Sequence, residues 1–211
     1  MTADQSGIVP VNGINMYYET HGEGEPLLLI EGLGYSSWMW YKQIPELSKQ
    51  YRVIVYDNRG VGNSDKPDSE YTIELMADDA ASLLSALGVG SAHVLGVSMG
   101  GYIAQELALR HSEKVKSLTL ASTNKGEGNS LSRNSKLLNG YLKLWGLLPG
   151  MLEISEKASV PSLNHNYGLS KEDKILYGLS VALSKEYYRD HPEEIDRIVK
   201  WRLENPQPGY A

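Results

Sequence analysis

The sequence predicts an α/β fold in which helices flank a mostly parallel β-sheet and a helical cap follows. Short apolar runs of strand character alternate with amphipathic helix patterns as far as residue 121, and after residue 124 only helix patterns remain. Alternation at short spacing is typical of a parallel sheet with both faces covered. We therefore expect residues 1–124 to belong to the sheet domain and residues 125–211 to form a helical lid.

Turn residues and continuous apolar runs indicate the strands. Asn12-Gly13, in the middle of Gly7–Thr20, predicts a β-hairpin, because a two-residue hairpin turn needs positive φ. Continuous apolar runs suit strands that are buried on both faces of a sheet. The chain has four such runs, Leu27–Ile30, Val53–Tyr56, His93–Val97 and Ser117–Ala121.

One helix is defined at both ends. Thr72 is a suitable N-cap, the apolar residues after it recur at helical spacing, and Gly88 stands where a helix commonly ends in a left-handed residue. The other predicted helices are Met99–Arg110, a less regular one over Trp38–Ser48, and three in the lid, roughly Leu131–Leu147, Lys171–Leu183 and Pro192–Leu203.

The composition argues against several classes of function. The net charge is −6 and there is no run of lysine or arginine, so the chain lacks the electrostatic footprint of a nucleic-acid or anionic-membrane binder. Without cysteine it needs no oxidising compartment. Met1–Gly13 lacks the features of a signal peptide, and Leu27–Ile30 is far shorter than the roughly 18 residues of a membrane span. We expect a cytoplasmic protein that acts on a small molecule.

The motif that carries chemistry follows the strand at 93–97. Residues 96–101 read Gly-Val-Ser-Met-Gly-Gly, which is Gly-x-Ser-x-Gly between a strand and a helix. A serine on so sharp a turn crowds its neighbours, so Gly96 and Gly100 are needed to let strand and helix approach. Ser98 then projects its Oγ outward, and the helix N-terminus supplies N–H groups to a developing oxyanion.

Two other interpretations of this motif remain. Ser98 could simply cap the helix that follows it. A dinucleotide site is the other alternative, although its fingerprint would place glycine at position 98 and would follow the first strand of the fold.

Two further stretches follow predicted strands. Residues 31–34, Glu-Gly-Leu-Gly, form a tight turn that can aim the Leu33 N–H at the oxyanion, beside that of Met99; a plain glycine turn is the alternative. Residues 57–65 combine charged side chains with two glycines. We expect Asp57 and Arg59 to hold this loop by hydrogen bonds rather than to perform chemistry.

With these three motifs in order, the sequence resembles the α/β-hydrolase family of serine esterases, lipases and lactonases over Val9–Ala121. The resemblance implies that Ser98 is the nucleophile, that the N–H groups of Leu33 and Met99 form the oxyanion hole, and that residues after 124 are the lid. It calls for no metal or organic cofactor. One departure is Glu31, where many relatives carry histidine.

The second departure concerns the catalytic triad. In this family the chain order is serine, acid, histidine, and the acid and histidine follow two strands that come after the lid. We therefore expect that this sequence stops before that C-terminal part of the core. Ser117–Ala121 would then be left as an open apolar edge of the sheet, which we expect a complementary C-terminal fragment or another copy of the chain to cover.

Three histidines follow Ser98, and none is placed to serve it. His111 ends the helix after the elbow, where a positive group near the C-terminus of a helix explains it better. His165 and His191 fall in the lid, where a solvated or capping role is expected.

The remaining candidates are no better placed. His21 falls in a turn before the strand at 27–30, and His93 opens the elbow strand at its far end. Glu127, just beyond the last predicted strand, is a minor candidate for the triad acid. Because a serine without a general base is a poor nucleophile, we expect this chain alone to be nearly inactive.

These observations predict a serine hydrolase of carboxylic esters, including acylglycerols, simple esters and lactones, that works through an acyl-enzyme. Two alternatives stay open. One is a non-catalytic binding module on the same fold, and the other is a related carbon–carbon bond hydrolase or a cofactor-free haloperoxidase.

Overall fold

The structure is a computed structural model that describes residues 3–124, 170, 172 and 185–204. The described residues fall into two compact units, the first containing 3–124 and the second containing the later ones. The predicted lid helices at 131–147 and 171–183, together with His165 and Glu127, lie outside the described residues, apart from 172.

The first unit is built on a six-stranded sheet of order β1-β2-β4-β3-β5-β6. The first three strands in this order pair antiparallel, and the ladders β4-β3, β3-β5 and β5-β6 are parallel. The strands are β1 (Gln5–Val11), β2 (Ile14–His21), β3 (Glu25–Ile30), β4 (Tyr51–Tyr56), β5 (Ala92–Val97) and β6 (Val115–Ala121). All the predicted strands are present.

The hairpin turn forms where the sequence predicts it. Asn12 and Gly13 have φ of 43° and 78°, and Val11 lies opposite Ile14, so two residues connect β1 to β2. Positive φ at both positions matches the right-handed twist of the flanking strands.

Helices cover the central strands on both faces. The main helices are α2 (Ile73–Ala86) and α3 (Met99–Arg110), and a shorter helix, α1 (Ile44–Leu47), follows β3. Leu28 and Ile30 of β3 pack in the core that α2 and α3 share, whereas Leu27 and Leu29 pack in a second cluster on the other face. The continuous apolar run of β3 therefore reflects burial on both faces.

The caps of α2 explain its ends. Thr72 is the N-cap, and its Oγ1 accepts a hydrogen bond from the Leu75 N–H at 3.0 Å. Gly88, just beyond the C-cap, has φ of 68°, which an L side chain rarely adopts.

The predicted helix over Trp38–Ser48 is wrong as one continuous element. The structure has a 3-10 turn at Ser37–Trp40 and then α1. Pro45 explains the break, because a proline inside a longer helix lacks a donor and its ring would clash with the Tyr41 carbonyl, four residues earlier. In the first turn of α1, Pro45 causes neither problem.

The expectation that β6 is buried on both faces is also wrong. Its five central residues are exposed, including Leu118 at 37% and Leu120 at 43%. β6 ends the strand order and pairs with β5, and no second strand flanks it in the described part of the chain. Its apolar side chains are therefore open to solvent in this structure.

In the second unit the described helices are α4 (Lys185–Asp190) and α5 (Pro192–Glu204). Helix α5 matches the predicted helix over Pro192–Leu203, and α4 was not predicted. Ile195, Ile198 and Val199 are buried at helical spacing along α5. Within the described residues, we find no helix with the length and hydropathy that a bilayer crossing requires.

Candidate active site

Ser98 occupies a strained turn between β5 and α3. Its φ of 53° and ψ of −117° lie outside the regions that a non-glycine residue normally adopts, and the residue is exposed. The Ser98 N–H donates to the Ala121 carbonyl at 3.0 Å, and its carbonyl accepts from the Gly101 N–H at 3.0 Å. The elbow that the glycine spacing predicts is therefore present, and it is anchored to β6.

The two elbow glycines allow backbones to touch. A Cβ at Gly96 would overlap the carbonyl oxygen of Gly100. A Cβ at Gly100 would overlap the Ile30 carbonyl oxygen and lie 2.5 Å from that of Glu31. The start of α3 thus packs directly on the carboxyl end of β3, which brings residues 31–34 to the elbow.

The turn at residues 31–34, called the oxyanion turn below, lies against Ser98. A Cβ on Gly32 would be 3.5 Å from Ser98 Cβ and 4.0 Å from its Oγ. Gly34 has φ of 75°, and the Tyr35 N–H donates to the Gly32 carbonyl at 3.3 Å. The N–H groups of Leu33 and Met99 make no hydrogen bond to any residue that the structure describes.

A buried side chain supports the oxyanion turn. Glu31 is 0% exposed, and its Oε1 accepts from the backbone N–H of Asn58 at 3.0 Å and from its Nδ2 at 2.8 Å. Burial raises the pKa of Glu31 well above its usual value, against the hydrogen bond from the Asn58 backbone. Glu31 therefore joins the turn after β3 to the loop after β4.

Asp57 holds the same loop from the other side. Its Oδ1 accepts from the Ser37 N–H at 2.8 Å and its Oδ2 from the Asn63 N–H at 2.7 Å. Burial raises the pKa of Asp57, and these two N–H groups oppose that shift. The contacts agree with the expectation that Asp57 fixes a loop.

Arg59 also has the expected structural position. Its Nε and Nη2 donate to Asp79 at 2.5 and 2.6 Å, and the two side chains are 5% and 1% exposed. Asn12 Nδ2 donates to the same carboxylate at 2.8 Å. The sequence did not identify Asp79 as the partner of Arg59, although an acidic residue on the apolar stripe of α2 indicates a buried partner.

The described histidines of the first unit lie far from Ser98. His21 ends β2 opposite Val53, so the expectation of a turn there is wrong; it is buried and contacts Glu19 at 2.9 Å. His93 is the second residue of β5, whereas Ser98 follows its last residue. His111 caps the C-terminus of α3, roughly 18 Å along the helix from its start, at about 1.5 Å per residue.

The contacts of the other histidines are structural. His93 Nδ1 lies 2.7 Å from Ser117 Oγ, and His111 Nε2 lies 2.7 Å from Asp78 Oδ1, a partner that the sequence did not reveal. In the second unit, His191 joins α4 to α5 and stacks on Tyr187 with ring centres 4.4 Å apart. None of the histidines in the described ranges hydrogen-bonds to Ser98 Oγ.

The described ranges contain no cluster of three histidine or acidic side chains that could hold a metal ion. What they bring together is a strained serine, a turn with an unused N–H beside it, and the N-terminus of a helix. A parallel sheet that presents a serine on such a strand–helix elbow defines the class of α/β hydrolases. The residues placed there are Gly32, Leu33, Gly96, Ser98, Met99 and Gly100.

Comparison with known proteins agrees with this class. Residues 25–153 match the family model described as alpha/beta hydrolase fold, and the chain belongs to that family. RutD of Azorhizobium caulinodans, assigned as a carbamate hydrolase, is 44% identical over 108 residues, which is 51% of this chain and 41% of RutD. The 2-hydroxymuconate semialdehyde hydrolase of Pseudomonas sp. strain CF600 is 31% identical over 173 residues, 80% of this chain and 59% of that enzyme.

A solved structure shows the same likeness. The thermophilic esterase of Thermogutta terrifontis superposes with a TM-score of 0.69 at 29% identity, over 98% of this chain and 69% of that one. The chain spans 41% and 59% of the two curated relatives described above.

Proposed function

We propose that the chain carries the nucleophilic half of a serine hydrolase that acts on carboxylic esters, including acylglycerols, simple esters and lactones. The observation that carries this proposal is the elbow, where Ser98 has φ of 53° and lies beside the oxyanion turn. A strained serine persists only where its surroundings determine it, and such strain clusters at functional sites. The carbamate hydrolase and esterase likenesses support cleavage of an ester-like carbonyl.

In the proposed reaction, Ser98 Oγ attacks the carbonyl carbon as its proton passes to a general base. The Leu33 and Met99 N–H groups then donate to the oxyanion of the tetrahedral intermediate. Collapse of the intermediate expels the alcohol, which takes the proton from the base. Water then attacks the acyl-enzyme by the same route and releases the acid.

Within residues 3–124, no histidine hydrogen-bonds to Ser98. His21, His93 and His111 are at the opposite end of the sheet domain from Ser98. We propose that a histidine and an acid in the C-terminal part of the core, supplied by a complementary fragment, complete the triad. For the whole protein, we also propose that residues 125–211 form a lid and that the protein is cytoplasmic.

A second candidate is a carbon–carbon bond hydrolase. The 2-hydroxymuconate semialdehyde hydrolase aligns with 80% of this chain, a longer stretch than RutD matches. If this chain has that function, Ser98 would attack a ketone carbonyl beside the same oxyanion turn. The two functions are separated by measuring the turnover of esters and of ketone substrates by the complemented protein. Faster turnover of esters favours the first function, and faster turnover of ketones favours the second.

The ester proposal is tested with short-chain nitrophenyl esters, first on the 211-residue chain and then after addition of a fragment carrying two further strands, an acid and a histidine. We expect trace turnover by the chain alone, a rise of roughly 10⁴–10⁶-fold on complementation, about what loss of triad residues costs, and loss of that gain in Ser98→Ala. Fast turnover by the chain alone would show that a base is already present. Equal turnover by Ser98→Ala would favour a non-catalytic module.

A further inference from the structure

Glu31 has a carboxyl oxygen that no donor satisfies. Its Oε1 takes both hydrogen bonds from Asn58, while its buried Oε2 makes no hydrogen bond to any residue in the described ranges. The Asn58 Oδ1 and the Tyr56 hydroxyl are also buried without a hydrogen-bond partner there. An ionised carboxylate only accepts hydrogen bonds, so an orphaned anionic oxygen in this place would be costly.

The charged groups around Glu31 offer no compensation. The guanidinium of Arg59, the residue after Asn58, is held by Asp79 through two hydrogen bonds. Asp57 follows β4 beside Asn58, and its negative charge further raises the pKa of Glu31. Tyr56 faces Glu31 from β4 and is neutral, because burial raises the pKa of its hydroxyl.

Asp57 is the natural comparison, since it is a buried carboxyl in the same loop cluster. Each Asp57 oxygen accepts a backbone N–H, from Ser37 and Asn63, and two such donors favour the ionised form. The hydrogen bonds that Glu31 accepts from other described residues fall on one oxygen only. Of two neighbouring buried carboxyls, the one with a donor on each oxygen holds its charge more readily, and the other more readily retains a proton.

We propose that Glu31 is a positioning residue, held as a neutral carboxylic acid with its proton on Oε2, which keeps the oxyanion turn closed against Asn58. The proton removes the negative charge from a carboxyl whose buried Oε2 no donor satisfies. Ionisation would draw water to Oε2 and loosen the turn, moving the neighbouring Gly32 and Leu33, and a Cβ on Gly32 would be 4.0 Å from Ser98 Oγ. The effect on the turn's chemistry rests on the proposed function, whereas the protonation state does not.

The first test is the pH dependence of unfolding, with Glu31→Gln as the neutral isostere. In the unfolded chain this carboxyl ionises near about pH 4.3. A raised pKa of Glu31 therefore contributes its full stabilisation of the folded protein below that pH. This contribution is lost as the pH rises through the pKa that Glu31 has in the folded protein. Over that window, we expect the unfolding constant of the wild type to increase about tenfold per pH unit relative to that of Glu31→Gln.

Asp57→Asn is the matched control. At neutral pH we expect Glu31→Gln to change stability little, because the amide mimics a neutral acid. Asp57→Asn should destabilise the fold clearly, because its amide NH₂ would face one of two backbone N–H donors. A flat difference between wild type and Glu31→Gln from pH 5 to 9 would show that Glu31 is ionised and overturn the proposal.

The second test works even where Glu31→Gln fails to fold. Infrared spectra of wild-type protein labelled with ¹³C-carboxyl glutamate should show the carbonyl stretch of a neutral acid at pH 7. That band should be absent in Glu31→Asp and unchanged in Ser98→Ala, which separates this inference from the fate of the hydrolase proposal. A spectrum with carboxylate bands alone would refute it.

The positioning role has its own readout. In the wild type, the chemical shifts of the Gly32 and Leu33 amides should change together with pH. The midpoint of that change should equal the pH at which half of the neutral-acid infrared band is lost. In Glu31→Gln these pH-dependent shifts should be absent. A neutral Glu31 whose ionisation leaves these two amides unmoved would show that it stabilises the core without positioning the turn.

Discussion

Gly100→Ala tests whether the elbow depends on backbone contact. The added Cβ would overlap the Ile30 carbonyl oxygen and lie 2.5 Å from that of Glu31, where about 3.3–3.6 Å is a comfortable carbon–oxygen separation. Both obstacles are backbone atoms at the end of a central strand, so neither can rotate away. α3 or β3 must instead move by roughly 1 Å, and overpacking of this kind typically costs about 1–3 kcal/mol.

Helix propensity reduces the loss of stability expected in Gly100→Ala. Alanine gains up to about 1 kcal/mol over glycine in a helix, which offsets part of the overlap. Because relief requires a backbone shift rather than a side-chain rotation, we take the upper overpacking value and expect a net loss of about 2 kcal/mol. For a chain of this size that lowers the melting temperature by roughly 4–8 °C, measured by circular dichroism.

Two other glycines provide the controls. A Cβ on Gly90 meets no heavy atom within 4 Å, so Gly90→Ala should be neutral or stabilise by about 0.4–1 kcal/mol. Gly32→Ala brings its Cβ to 3.5 Å from Ser98 Cβ, an ordinary contact, so the fold should tolerate it while the space beside Oγ is filled. If Gly100→Ala melts at the same temperature as Gly90→Ala, the argument from backbone contact is wrong.

Further predictions concern buried charges and the sheet edge. Asp79→Ala should destabilise the fold by about 3–5 kcal/mol in urea unfolding, because it leaves the buried Arg59 guanidinium unpaired, whereas Asp78→Ala, at a largely solvated ion pair, should have little effect. The hydrogen bond from His21 holds the pKa of Glu19 below its usual value, so stability should fall as the pH drops below about 4.3, and Glu19→Gln should flatten that fall. The open edge of β6 should make the chain associate with a second copy or with the complementary fragment, and light scattering that finds a monomer at high concentration would contradict this.

The parts of the fold that depend on residues close together in the sequence could be predicted from it. The run Leu27–Ile30 is apolar at every position because both faces of β3 are covered. Gly96 marks a turn with local crowding, because a Cβ there would overlap the Gly100 carbonyl four residues later. The cap at Thr72 is equally local, since its Oγ1 needs an N–H three residues later.

What could not be predicted depends on contacts between distant segments. Nothing near Glu31 in sequence reveals that Asn58 would satisfy one of its oxygens and leave the other bare. The exposure of β6 has the same origin, since an apolar run indicates a strand that can be buried but not whether a neighbour covers it. Placing His21 in a turn failed because β2 extends to pair with β4 as far as Val53.

Contacts within residues 3–124 hold Ser98, the proposed nucleophile, in its turn. Holding Ser98 in a disfavoured backbone region costs on the order of 1–3 kcal/mol, and the fold must supply that energy through other contacts. Among the described residues, the contacts at this turn are the hydrogen bonds of Ser98 to Ala121 and Gly101 and the glycine contacts of α3 with β3. Because none of them requires an acid or a histidine, a fragment that brings those groups should meet an elbow that is already formed. The strain at Ser98 should therefore be the same in the chain alone and in the complemented protein, and complementation should raise the rate of proton transfer rather than rebuild the turn.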